Sequence, residues 1–133
     1  MKSAMGPLPL AAAGSLLLAA GVAAATVVDP YWLEAIPAEY QGKWNSDPKA
    51  CALFTGRGRM ELSGRTLRVG GDDFKAEYVA WSEDGGIGVV SRYAGSAKPA
   101  WTRVDHFVLS PDRKRLIDDH AGRKLVRIRC RAR

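Results

Sequence analysis

Apolar and polar positions alternate in short runs along most of this chain, and turn-forming residues separate the runs. Residues 42–45, 58–62, 66–69, 74–81, 87–93 and 101–109 each carry such a run, as do 115–117 and 123–130. Runs of this length and period predict strands. Ser63, Gly64 and Arg65 predict one hairpin turn. Glu83, Asp84, Gly85 and Gly86 predict another, because adjacent glycines tolerate positive φ. Gly70 to Asp73 should break the chain, residues 94–100 should form a loop, and Ser110, Pro111, Asp112 and Arg113 should reverse it. Residues 118–122 should connect the last two strands. Helical signals are confined to the lead-in. Asp29 and Pro30 read as the N-cap and first position of a short helix over 31–36, with a second turn over 37–41. About eight short strands predict an all-β fold, a small antiparallel β-barrel, because closure removes exposed edges.

The alternation also assigns faces. Over 74–81 it places Phe74, Ala76, Tyr78 and Ala80 together, opposite Lys75, Glu77, Val79 and Trp81. Over the last run Val126, Ile128 and Cys130 share one parity and are expected inward. Leu125, Arg127, Arg129, Arg131 and Arg133 share the other and are expected toward water.

Ahead of the strands lies an N-terminus of different character. Lys2 is the only charge before Asp29, an apolar run covers residues 8–22, and Ala23, Ala24 and Ala25 follow. That is the layout of a secretory signal peptide over 1–25. A lead-in over 26–41 and a barrel domain over 42–133 complete the expected organisation, with no transmembrane span once the signal is removed. An exported chain with one pair of cysteines, Cys51 and Cys130, is expected to join them in a disulfide. The expected location is periplasmic or secreted.

The segment Ile36, Pro37, Ala38 followed by Gly42, Lys43 and Trp44 resembles the G-x-W opening of lipocalin-like barrels. With Cys51, Trp101, the stretch 107–112 and the terminal 127–130, the pattern is similar to small exported proteobacterial proteins with no assigned function. The resemblance implies a short helical turn before the first strand and a Trp, here Trp44, that closes one end of the barrel.

The 133 residues carry 20 Lys and Arg against 14 Asp and Glu, a formal charge of +6. Nine of the basic residues fall between 112 and 133. A positive stripe attracts phosphates or carboxylates. The leading expectation is therefore a non-catalytic exported barrel that binds an anionic envelope component or envelope protein through Arg127, Arg129 and Arg131. The alternatives are a protein-inhibitor module similar to periplasmic lysozyme inhibitors, with 91–100 as the inserting loop, and a small apolar-ligand carrier using the Trp44 end. Nucleic acid is not expected, because an exported protein seldom meets it and the Trp residues read as core. A monomer is expected.

No catalytic constellation is legible. There is no G-x-S-x-G, and Gly56, Arg57, Gly58 and Arg59 lack the Gly-Lys-Ser/Thr ending of a phosphate loop. Asp105 and His106 are adjacent on a strand and should point to opposite faces. His120 and the acidic pairs Asp72/Asp73, Glu83/Asp84 and Asp118/Asp119 read as turn residues. No enzyme activity, cofactor or metal is expected.

Overall fold

A computed structural model describes residues 31–95 and 101–131. The expected signal peptide, the cap at Asp29 and Pro30, residues 96–100 of the expected loop and Arg133 lie outside the described residues. The strands in chain order are β1 (Trp32–Leu33), β2 (Gly42–Asn45), β3 (Met60–Ser63), β4 (Thr66–Val69), β5 (Asp72–Trp81), β6 (Ile87–Tyr93), β7 (Thr102–Leu109), β8 (Arg115–His120) and β9 (Arg123–Arg129). Short 3-10 turns at Ala38–Tyr40 and Pro48–Ala50 flank β2.

All pairings are antiparallel. The order β5-β4-β3-β2-β9-β8-β7-β6 returns to β5 through the β5–β6 pairing, so eight strands close into a barrel. β1 is the ninth strand. It extends the sheet where β4 stops covering β5, pairing Trp32 with Ala80 and Leu33 with Val79. The helix expected over 31–36 is therefore replaced by extended chain. A segment this short gains little from helix formation, whereas here Trp81 N–H finds the Tyr31 carbonyl at 2.8 Å. The second expected turn is present as the 3-10 turn ending at Tyr40.

The core runs along the barrel axis. Ile36, Tyr40, Trp44, Met60, Leu62, Leu67, Phe74, Ile87, Val89, Phe107 and Leu116 are buried there. Among the described residues no helix is long and apolar enough to cross a membrane.

Three local corrections position everything that follows. In β5 the register shifts between Ala76 and Tyr78, opposite Ser91 and Val90. That bulge admits Glu77 as an extra residue and reverses the alternation. Val79 consequently enters the core and Tyr78 turns outward, against the expected faces. β8 runs to His120, and only Ala121 and Gly122 turn the chain, both at positive φ (51° and 78°). Asp118, expected in the turn, thereby becomes a wall residue facing inward with its side chain 2% exposed.

The third correction concerns β9. Arg127 is buried at 3% relative exposure, whereas Val126 is 51% exposed. The expected orientation of Arg127 and Arg129 toward water is therefore reversed. Of the arginines expected outward, the described Arg131 is exposed, beyond the end of the strand. Period two was right and its sign was wrong. Partners on distant strands compensate the inward guanidinium groups, as described below.

Candidate functional site

Inside the barrel the walls bring four charged side chains together. Arg127 of β9 donates from Nη1 to Asp118 Oδ2 at 2.5 Å and from Nε to the Gly58 carbonyl at 2.9 Å. Arg103 of β7 donates from Nε to Asp105 Oδ2 at 2.7 Å and from Nη2 to Asp105 Oδ1 at 3.0 Å, and lies 3.6 Å from Asp118 Oδ2. Two cations therefore face two carboxylates that are almost completely buried. Buried charges persist only when paired in this way. Among the described residues Ser91 Oγ and Asp118 Oδ1 are buried without a hydrogen-bond partner. His120 Nδ1 donates to the Val104 carbonyl at 3.0 Å, beside Asp105. Trp101 stacks on Tyr93 with ring centroids 5.3 Å apart, and both lie edge-on to Phe74.

Burial, and next the adjacent Asp105 carboxylate, raise the Asp118 carboxyl from 3.8 to about 6, against the opposing pull of Arg127. The folded state thus takes up a proton more readily than the unfolded chain. That contribution to stability is complete below about pH 4 and is lost as pH rises through 6. Wild type is expected to gain roughly 2 kcal/mol relative to Asp118→Asn on going from pH 7 to pH 4. Urea unfolding of both proteins across this range is the measurement; parallel profiles would show that Asp118 titrates normally.

Where β2 meets β9, Trp44 and Arg129 are cross-strand partners. Trp44 is fully buried and donates from Nε1 to the Tyr40 carbonyl at 3.0 Å. The Arg129 guanidinium stacks over the Trp44 ring at 4.2 Å. It donates to the carbonyls of Glu39 (2.7 Å), Gln41 (2.8 Å) and Arg113 (3.0 Å). Arg129 is thus occupied in tying the 3-10 turn and the β7–β8 turn to the final strand. Its burial, and then Arg113, lower its pKa. Trp44 has no solvent-exposed surface.

Outside the wall, Cys130 is bonded to Cys51 with Cα atoms 5.2 Å apart. Cys130 shares its face of β9 with outward Val126, and the loop between β2 and β3 covers it. Asn45 fixes that loop by donating to the Thr55 carbonyl at 2.9 Å and accepting from Asp47 N–H at 3.1 Å. Beside the disulfide runs a groove of about 470 Å³ lined by Lys114, Arg115, Ile128, Arg129 and Arg131 and by one carboxylate, Asp112. Two adjoining hollows, about 380 and 600 Å³, share residues 129–131 and continue along Cys51 and Ala52. Lys114, Arg115 and Arg131 are exposed, and none of them forms an ion pair with another described residue. Of the three arginines expected as contacts, Arg129 and Arg131 line this groove and Arg127 does not. Lys114 and Arg115 join it by β8–β9 register, with Arg115 opposite Ile128. Their run with Arg113 was visible in the sequence, but their meeting with the C-terminus was not.

A serine, a histidine and an aspartate also meet on the outer wall. His106 Nε2 lies 3.1 Å from both Ser82 Oγ and Asp84 Oδ1, and Ser82 donates directly to Asp84. One ring nitrogen serves both partners and the serine proton is held by the carboxylate. The trio is therefore not wired as nucleophile, base and orienter. The Ser82 hydroxyl, followed by Gly86 N–H, lowers the Asp84 carboxyl to about 2, so it acts as an anionic clamp of the β5–β6 hairpin. Among the described residues no three His, Cys, Asp or Glu side chains gather as a metal site requires. Ser91, expected to begin an inserting loop, is instead a buried residue of β6.

No family model, curated protein or solved structure matches this chain.

Proposed function

We propose that this protein is an exported, non-catalytic β-barrel that binds an anionic component of the cell envelope. The ligand-bearing surface is the cationic groove beside the disulfide, with Lys114, Arg115 and Arg131 as its contacts. The carrying observation is that these three exposed cations line a shared hollow against a single carboxylate, Asp112. An excess of like charge around a concave surface raises the local concentration of anions. The signal-like N-terminus and the disulfide fit a protein of an oxidising compartment. Buried side chains of the strands occupy the barrel axis, so the proposal places the ligand outside the wall. Arg127 and Arg129 hold the barrel together and are not contacts in this reading.

Each cation near an anionic surface contributes about 1 kcal/mol. Reversing all three, as Lys114→Glu/Arg115→Glu/Arg131→Glu, is expected to weaken retention on immobilised lipopolysaccharide by about 100-fold or more. Retention by wild type should fall steeply with salt. Equal retention of the two proteins across the salt series overturns the reading.

A further inference from the structure

The orientation of β9 leaves an apolar row on the outside of the barrel. Val108 of β7, Ile117 of β8 and Val126 of β9 are direct cross-strand neighbours. Ile117 is 39% exposed and Val126 51%. Ile128 continues the row along β9 into the cationic groove, where it faces Arg115. On the other side of the row the next outward pair is Asp119 and Lys124, in register with each other. The outer face of β7–β9 is thus an apolar ridge bounded at one end by Arg115, with Lys114, Arg131 and Asp112 beyond it, and at the other by the Asp119–Lys124 pair.

We infer that this face is a docking surface for an anionic lipid bilayer: the ridge enters the headgroup region while the flanking cations meet lipid phosphates. The inference rests on the anion-binding reading above and names its partner. Charge selects the occupant. The groove end carries Lys114, Arg115 and Arg131 against Asp112, a net positive charge, while Lys124 is balanced by Asp119 at the other end. Lipid phosphates complement that net charge beside the ridge, whereas a second copy brings no net negative charge to it. The shape of a bilayer fits as well, because a ridge on a convex wall matches a fluid surface that deforms around it. Apolar burial and attraction to anionic lipid then reinforce each other, as in interfacial amphipathic elements.

Co-sedimentation of the disulfide-bonded protein with phosphatidylglycerol/phosphatidylcholine vesicles tests the proposal, with a heparin column as a polyanion that lacks acyl chains. Ile117→Thr/Val126→Thr preserves β-branching and charge on outward positions. It should bind vesicles about tenfold more weakly than wild type while eluting from heparin at the same salt. Val126→Thr alone, close in shape to the parent, should show a smaller loss in the same direction, which serves if the double variant fails to fold. Vesicle binding unchanged in these variants overturns the bilayer contact. So does wild type that binds heparin but not vesicles, which would leave an acidic protein as the partner. The groove reading fails separately, if wild type binds neither material or if the triple charge reversal elutes from heparin like wild type.

Discussion

Replacing Arg127 with methionine is expected to destabilise the protein by about 3–5 kcal/mol, the usual cost of removing one partner from a buried ion pair. Arg127 is the direct guanidinium partner of Asp118 Oδ2 and also donates to the Gly58 carbonyl. Without it, two nearly buried carboxylates would share Arg103 alone. Unfolding by urea at pH 7 measures the effect. Lowering the pH should shrink the loss, because Asp118 is then neutralised by a proton and needs its cation less. Arg127→Met/Asp118→Leu supplies the control. Replacing both charges by apolar side chains of similar volume is often nearly neutral, so the double variant should recover much of the lost stability. The interaction energy from the cycle separates the pair from its surroundings. Were Arg127 on the solvent face, as simple alternation along β9 suggests, the single change would cost less than about 0.5 kcal/mol. That outcome would refute the charged interior.

Severing the disulfide is the second large perturbation. Cys51 and Cys130 are separated by 79 residues. Opening a loop of that length costs about 4 kcal/mol in the chain-entropy account, whose entropic basis is debated. The bond also has a local role. It pins the loop between β2 and β3 against the outer wall and thereby forms one side of the cationic groove. Cys51→Ser/Cys130→Ser should unfold at markedly lower urea and lose part of its retention on lipopolysaccharide even where it remains folded. Coincident unfolding curves for the oxidised protein and the serine variant would show that the link contributes nothing.

Much of the architecture was legible because its signals are local. Turn chemistry at Ser63 to Arg65 and at Glu83 to Gly86 placed two hairpins, and period-two runs placed the strands between them. The disulfide followed from a single pair of cysteines behind a signal-like N-terminus. The misreadings share a physical origin. The bulge at Glu77 inserts one residue whose effect is felt only against the partner strand, so alternation in β5 reads correctly to Ala76 and inverts afterwards. β8 seemed to stop at Ile117 because aspartates are poor strand formers in isolation. Asp118 is accommodated in the wall because Arg127, nine residues later, reaches it. The candidate groove was half visible. Its cations form a cluster in the sequence, but sequence proximity does not distinguish Arg131 at the surface from Arg127 inside.

Local sequence by itself determined where most strands begin, where the chain reverses, which cysteines join and that Trp44 stands in the strand over 42–45. Only the tertiary structure decided which side of β9 faces the core. Val126, Ile128 and Cys130 make one face apolar, while Leu125, Arg127 and Arg129 make the other amphipathic, and either set can be buried if its polar atoms find partners. Those partners are Asp118, the Gly58 carbonyl and the carbonyls of Glu39, Gln41 and Arg113. They come from separate strands and turns and meet β9 only when the barrel closes. The sign of the alternation is therefore a property of the closed barrel, whereas its period belongs to the strand.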